Sequence, residues 1–281
     1  MSATTERTHT FHAHARIMEG DLRLPLVQRI QTQAHLMLPE EGGYTSEHST
    51  GYRLEGVFSY SAAHTQVAGN PGRKPGHGWG TLVTTVIEDL NILEILTADR
   101  VVGQIITEHP LEGYVPSISF LGTRFENLRI AGHRVELELD LNVLGAKPAS
   151  DAPYTRDHGV VSRVSSQYER IRKHKDVPAE LFERYNRLSS TLEGAEAVEC
   201  SLVNQAAGPY PGLSFGHVLK IPEFGTIELA KVTLTHEDFI PETGVPKKTT
   251  VTLTMVDLKL GCAIDGDIPI GTGSTNGGTH P

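Results

Sequence analysis

Histidine is the most unusual residue type in this chain, and imidazole can serve as a metal ligand or as an acid–base group. Fourteen of the 281 residues are histidine, and three of them cluster at His9, His12 and His14. On a β-strand His12 and His14 would share one face, so two imidazoles could reach one metal ion. Metal sites need three or four ligands, and no acidic or cysteine ligand stands at a recognisable spacing. A metal site at these three histidines is one hypothesis; a polar, weakly structured N-terminus is the other.

A Gly- and Pro-rich segment carries the only tryptophan. His77 and Trp79 lie in residues 70–80, NPGRKPGHGWG, where the prolines and glycines predict a loop. An indole in such a loop could stack on a sugar or another planar group. The alternative is that Trp79 anchors the loop to the core. We take His77 and Trp79 as candidate ligand-binding residues.

The chain has two cysteines, Cys200 and Cys262, each at or near a predicted strand. A disulfide between them would close a loop of about 60 residues and stabilise the fold by roughly 4 kcal/mol on the chain-entropy model. The alternative is a pair of buried free thiols, because cysteine commonly serves as a small core residue. The absence of a CxxC motif argues against a zinc ribbon or a thioredoxin-type centre.

Other titratable residues give weaker signals. Glu88, Asp89, Glu94 and Asp99 offer carboxylates near strand ends, and a carboxylate pair could do acid–base chemistry in a glycosidase. Solvated surface carboxylates are the alternative. The sequence lacks GxSxG, HExxH, a Walker loop and a GxGxxG that opens a helix. We therefore predict no catalytic residue and no cofactor.

The elements that would position these residues are mainly strands. The clearest pattern is Val135–Val143, where five apolar residues alternate with acidic and amide residues, as in a half-buried strand. It follows Phe125–Ile130 across Ala131-Gly132, which predicts a hairpin. Further strands are predicted at 197–204, 217–221, 226–235 and 249–260. We expect at least twice as much strand as helix.

Residues 146–195 interrupt the strand pattern with a predicted helical insertion. Segments 165–175 and 177–192 have helical spacing, and the second has an apolar stripe formed by Leu181, Phe182, Tyr185, Leu188 and Leu192. A basic run at Arg170, Arg172, Lys173 and Lys175 could meet an anionic partner, or could be a solvated helix face. The fold prediction is an antiparallel β-sandwich or jelly-roll-like protein with a helical insertion around residues 160–195.

The predicted domain organisation has three parts. Residues 1–15 are a polar tail, residues 16–269 form a single β-rich domain with the helical insertion at 146–195, and residues 270–281 are a flexible Gly-rich tail. The last segment, GTGSTNGGTHP, has no core-forming residues of its own.

Charge and hydropathy exclude some functions. The net charge of −9 argues against a nucleic-acid partner, because the phosphate backbone needs a positive face. No apolar run approaches the roughly 20 residues that span a bilayer. The first twenty residues lack an apolar signal-peptide core. A cytoplasmic location is expected, with export by another route as the alternative.

Two segments resemble a known family. Residues 96–105, LTADRVVGQI, and 125–137, FENLRIAGHRVEL, are similar to a pattern in bacterial β-rich surface proteins of the choice-of-anchor type. The similarity lies in Thr97-Ala98-Asp99 and then in Phe125, Asn127-Leu128, Ile130 and Gly132. It implies an extracellular or wall-attached protein without catalytic residues, although this chain shows no export signal or anchor.

Together these observations favour a non-enzymatic structural or self-associating β-rich protein, expected to be a homo-oligomer. Its strands are plentiful, catalytic signatures are absent, and sheet edges offer contact surfaces. A small-ligand or carbohydrate-binding protein that uses the 70–80 loop is the alternative. A β-rich hydrolase or isomerase is the third hypothesis.

Overall fold

Strands dominate the structure. The computed structural model describes residues 7–24, 27–54, 56–70, 77–238, 247–261 and 264–280. Strands account for 57% and helices for 13%. The mainly β prediction, with at least twice as much strand as helix, is confirmed.

The elements have the following bounds. The strands are β1 (Thr8–Thr10), β2 (Ala13–Leu24), β3 (Gln28–Gln33), β4 (Leu36–Met37), β5 (Gly43–Ser49), β6 (Tyr52–Leu54), β7 (Phe58–Tyr60), β8 (Ala62–Asn70), β9 (Trp79–Ile92), β10 (Leu96–His109), β11 (Ser117–Ser119), β12 (Arg124–Glu126), β13 (Arg129–Ile130), β14 (His133–Arg134), β15 (Glu136–Leu139), β16 (Ala197–Ser201), β17 (Val203–Ala207), β18 (Leu213–Phe215), β19 (Val218–Ile221), β20 (Gly225–Glu237), β21 (Lys248–Gly261), β22 (Asp265–Thr275) and β23 (Gly278–His280). The α-helices are α1 (His158–Arg172) and α2 (Ala179–Ser190), and short 3-10 turns lie at Ala149–Asp151 and Tyr154–Arg156.

Two antiparallel sheets contain most of the strands. The front sheet has the order β14-β13-β10-β9-β7-β6; β11 and β12 also pair with β10, and β8 pairs with β9 and β5. The back sheet has the order β18-β19-β20-β21-β22-β2-β3, with β16 on β20 and β4 on β2. Strands β8, β9 and β10 lie against β2, β21 and β22. This face-to-face arrangement is the predicted β-sandwich.

Glycines allow the two sheets to approach closely at the centre. A Cβ on Gly273 in β22 would lie 2.7 Å from Cγ1 of Val83 in the front sheet. A Cβ on Gly103 in β10 would lie 2.8 Å from Cγ of Met255 in the back sheet. Carbon atoms pack at about 3.5–4.0 Å, so neither position has room for a methyl group.

The segments predicted to be tails form strands instead. β1 pairs with β23, with His9 opposite Thr279. β2 pairs with β22 inside the back sheet, where Ala13 is opposite Thr275. The tail prediction is therefore wrong for residues 7–15 and 270–280. At the C-terminal end, the small residues that suggested flexibility are there because the interior is crowded: Gly273 touches the opposite sheet. At the N-terminal end, polar residues of β2 alternate with buried ones such as Ala15.

The segment Val135–Val143 forms a shorter strand than its alternation predicts. Only β15 is extended, and it pairs with β17 in a ribbon outside both sheets. Leu137 and Leu139 are half-buried and pack against the core, while Glu136 and Glu138 are exposed, so the predicted half-buried strand with one solvated face is confirmed over this shorter length. The predicted hairpin turn at Ala131-Gly132 is present, but its arms are only β13 and β14.

The helical insertion is confirmed, and α1 begins where a side chain caps it. Asp157 accepts a hydrogen bond from the Val160 N–H at 3.0 Å, which satisfies one of the free N–H groups of the first turn. The Tyr168 hydroxyl donates to the Glu199 carbonyl at 2.5 Å, fixing α1 against β16. Among the described residues, neither helix has the length and apolar character to cross a membrane.

An ion pair holds α2 against the back sheet. Arg184 donates to the carboxylate of Glu228 in β20, which is 2% exposed, and to Glu199 at 2.9 Å. Burial alone would raise the pKa of Glu228, but the hydrogen bonds and charge of Arg184 hold it at about 2. The predicted apolar stripe of α2 is only partly buried: Tyr185 is 2% exposed, whereas Phe182 is 42% exposed.

Candidate functional site

His9 and Trp79, which the sequence placed in separate candidate sites, lie side by side. Their rings stack with centroids 5.2 Å apart and planes 13° from parallel. Phe11 meets His9 edge-on, with centroids 4.6 Å apart. β1 therefore covers one face of the indole where β9 begins. The stack agrees with the anchoring alternative for Trp79, and ligand stacking stays a prediction.

The same cluster contains His109, which the sequence analysis did not single out. Its ring centroid lies 4.6 Å from that of His9, and its side chain is 1% exposed. Burial, followed by the nearby charges of His9 and Lys147, lowers the pKa of His109 to about 3. Its ring nitrogens find no hydrogen-bond partner in the described part of the chain. His109 is opposite Trp79 in the β9–β10 ladder, and this cross-strand register cannot be read from spacing along the chain.

The three N-terminal histidines are not brought together. His9 contacts the Trp79 cluster, His12 is exposed, and His14 lies by His35 with ring centroids 6.3 Å apart. Within the described ranges, no three His, Cys, Asp or Glu side chains are grouped so that they could hold a metal ion. The structure gives the metal hypothesis no support.

His77 lies on the surface rather than in the Trp79 cluster. Its Nδ1 is 3.3 Å from Oε1 of Glu108, and both side chains are at least half exposed. An exposed pair of this kind contributes little to stability. The geometry assigns no ligand role to His77, so its role in binding stays a prediction.

Cys200 is a buried residue of β16, and burial raises the pKa of its thiol to about 12. It is opposite Val232 in the β16–β20 ladder. Cys262 lies outside the described residues, so its pairing with Cys200 stays a prediction.

The carboxylates proposed for acid–base chemistry do not form a pair. Glu88 pairs with Arg100 at 3.3 Å, Asp89 accepts from the Ser61 hydroxyl at 2.6 Å, and Asp99 accepts from the Asn127 amide at 2.6 Å. These separate partners give the glycosidase hypothesis no support. Glu94 is considered below with the cavity that it lines.

The basic run on α1 also has partners within the chain. Arg170 donates to the Asn204 carbonyl at 2.6 Å, and Arg172 donates to the Asn186 side chain at 3.1 Å. Lys173 pairs with Glu169 one turn earlier, at 2.5 Å. These contacts agree with a solvated helix face that is tied locally to its own fold.

The front sheet has an outer face that carries an apolar row. Both helices contact strands of the back sheet, so no helix among the described residues covers this face. The ladders place Tyr44 opposite Ala68, Ala68 opposite Leu82, and Leu82 opposite Ile106. We call these four residues the outer row. Tyr44 is 64% exposed and Ile106 is 37% exposed, so the row is accessible at both ends.

The outer row ends beside another exposed apolar residue. Ser119 of β11 is opposite Ile106, and Leu121, two residues further along, is 64% exposed. Period-two alternation in β9 and β10 could have placed Leu82 and Ile106 on one face. The register that aligns them with Tyr44 and Ala68 depends on pairing between strands that are far apart in the chain, so it could not be predicted from local sequence patterns.

Charged residues occur on the same sheet face. Glu108, two residues from Ile106 in β10, lies 3.3 Å from His77. Further along the strands, Arg100 pairs with Glu88 at 3.3 Å and Arg124 pairs with Glu126 at 2.7 Å.

These features define an antiparallel β-sandwich with a helical insertion and an uncovered sheet face. The chain belongs to the family described as "Domain of unknown function (DUF8256)", whose model matches residues 9–235. The match runs from β1 into β20 and includes the helical insertion. No curated protein and no solved structure is similar enough to this chain to count as a match.

Proposed function

We propose that the chain is a non-enzymatic protein that works by self-association, and that two copies meet through the outer face of the front sheet. The observation that supports this proposal is the outer row, which crosses four neighbouring strands without a polar interruption. Contiguous exposed apolar patches on folded proteins commonly mark interaction sites.

The size of this face sets the expected strength of association. With β11 included, it is five strands wide. At strand spacings of about 4.8 Å and rises of about 3.3 Å per residue, a face about six residues long offers about 500 Å² per copy. Two copies would bury about 1,000 Å², near the lower limit for a specific interface. We therefore expect weak, concentration-dependent dimers.

Charge limits the strength of this contact. Two molecules that each carry −9 repel one another, and Glu108 lies on the same face two residues from Ile106. The terminal segments do not support this proposal, because β1 and β23 pair with each other within one chain.

The resemblance to choice-of-anchor surface proteins agrees with a role in association rather than catalysis. A surface location for this chain belongs to the same proposal, and the cytoplasmic location expected from the first twenty residues is its alternative. Fractionation of the native host, with the protein detected by an antibody, distinguishes the two.

Light scattering across a concentration series tests the proposal. The wild-type chain should shift from monomer towards dimer as concentration rises. Ile106→Glu places a charge in the outer row and should keep the chain monomeric, because the charge would lose its hydration in the contact. Leu213→Glu is the matched control, since Leu213 is 40% exposed but lies on β18 of the back sheet. A wild-type chain that stays monomeric, or an Ile106→Glu variant that still dimerises, would contradict the proposal.

A further inference from the structure

The far end of the front sheet contains two adjoining depressions that share Arg53. One has a volume of about 300 Å³ and is also lined by Asn91 and Glu94. The other is wider, about 480 Å³, and is also lined by Tyr52 and Asp89. Both depressions lie where β9 ends, at the opposite end of that strand from Trp79.

Arg53 supplies a positive charge at the centre of this region. Its side chain is exposed and makes no hydrogen bond or ion pair within the described residues. Asp89 and Glu94 line the same depressions, but neither bonds to it. The carboxylate of Asp89 accepts instead from the Ser61 hydroxyl at 2.6 Å. A guanidinium with free donors in a depression is suited to a carboxylate, which it can bind through two parallel hydrogen bonds.

The groups around Arg53 are held by a strained turn. Leu93 and Glu94 join β9 to β10 with φ of 53° and 58°, and Asp89 has φ of 53°. Two consecutive residues with positive φ form the hairpin turn that normally uses Asn-Gly. The Leu93 N–H donates to the Val57 carbonyl at 2.8 Å, and the Glu94 N–H donates to Oδ1 of Asn91 at 2.9 Å. Strained backbone of this kind is concentrated at functional sites.

The remaining lining groups are suited to hydroxyls and to a ring. Asp89 and Glu94 offer acceptor oxygens, and the Asn91 side chain offers amide donors. Tyr52 is half-buried and lines the wider depression, and the buried Tyr60 stacks against it with centroids 6.0 Å apart. Rigid aromatic rings give an apolar surface with a polar edge, which suits the faces of sugar rings.

We propose that these depressions form a binding site for an acidic sugar, in which Arg53 pairs with the sugar carboxylate. The side chains of Asp89, Asn91 and Glu94 bond to the sugar hydroxyls, and Tyr52, which Tyr60 supports from the core, contacts the ring. Arg53 pairs with one singly charged carboxylate. A phosphate group is a poorer fit, because Asp89 and Glu94 repel its second negative charge as well. This site is separate from the outer row and does not depend on self-association.

A glycan array with uronic acids of several configurations, their neutral hexose counterparts, and sulfated and phosphorylated sugars tests the proposal. Wild type should retain one or more uronates at least tenfold more tightly than the neutral counterpart. Arg53→Gln should weaken that binding at least tenfold. Arg29→Gln is the matched control, because Arg29 is an exposed arginine on β3 of the back sheet. Unchanged far-UV spectra would show that both variants fold.

Trp79 provides an independent readout of where the ligand binds. It is the only tryptophan, and it lies about 40 Å from Asn91 at 3.3 Å per residue of β9. Titration with the retained uronate should leave its fluorescence unchanged. Quenching that persists in Arg53→Gln would place the ligand at Trp79 and overturn the site. Equal binding of acidic and neutral sugars, preference for a phosphate or sulfate, or no retention of any uronate would overturn the ligand assignment.

Discussion

At the residue scale, the buried histidines make the stability of the fold depend on pH. His109 and His217 are 1% and 4% exposed, and burial lowers their pKa values to about 3 and about 4. His217 shares a hydrogen bond with the Tyr185 hydroxyl at 2.9 Å, whereas His109 has no such partner in the described ranges. Both are uncharged at neutral pH, so they act as interior packing residues rather than as acid–base groups.

The stability of the protein should therefore fall as the pH is lowered from 6.5. In the unfolded chain His109 regains a pKa of 6.5, so between pH 3 and 6.5 the unfolded state binds more protons and stability rises with pH. His109→Phe should reduce the slope of unfolding free energy against pH by up to about 1.4 kcal/mol per pH unit. Urea titrations at pH 4.5–7, followed by far-UV circular dichroism, measure this slope.

The matched control is His133→Phe, which removes an exposed histidine from the β13–β14 hairpin. This substitution should leave the slope of unfolding free energy against pH unchanged. Equal slopes for wild type and His109→Phe would show that His109 titrates normally in the folded protein.

At the element scale, glycine spacing decides how closely the sheets pack. Gly273→Ala should destabilise the protein by about 1–3 kcal/mol, because the methyl group would overlap the stiff side chain of Val83. Gly80→Ala is the control: it lies in β9 with nothing near its Cβ, and it should change stability little. Thermal unfolding compares the two. A Gly273→Ala variant as stable as Gly80→Ala would mean that the sheets can separate without cost.

The terminal strands give a second prediction at this scale. Removal of residues 270–281 deletes the half of β22 that lies between β21 and β2, and we expect the chain not to fold. Removal of residues 278–281 deletes only β23, the partner of β1, and the sandwich should survive. Circular dichroism and proteolysis of the two truncated chains measure this. A folded chain without residues 270–281 would contradict the position of β22 in the sheet.

Local patterns predicted part of the fold. Runs of apolar and β-branched residues predicted β16, β19, β20 and β21 of the back sheet, and apolar residues at helical spacing predicted the insertion. The Gly- and Ser-rich end was read as flexible, since the packing that requires Gly273 comes from Val83, far away in the chain. The His9–Trp79 stack and the Arg53 depressions were not predicted for the same reason: their members meet through long-range pairing.

At the scale of the whole molecule, the two faces of the front sheet have different surroundings. The inner face packs against the back sheet, with Val83 and Ile105 at most 1% exposed. The outer face carries the outer row, whose ends at Tyr44 and Ile106 are 64% and 37% exposed. Our proposal places the contact with a second copy on this outer face.

Cysteine cross-linking tests this contact most directly. Leu82 lies at the middle of the ladder that runs from Tyr44 to Ser119, so a two-fold contact centred there would bring it close to its own copy. In a Cys262→Ser background, Leu82→Cys should oxidise to a covalent dimer, while the buried Cys200, with its pKa raised to about 12, stays unreactive. Leu213→Cys should remain monomeric. A Leu82→Cys chain that gives no more dimer than Leu213→Cys would contradict self-association through the front sheet.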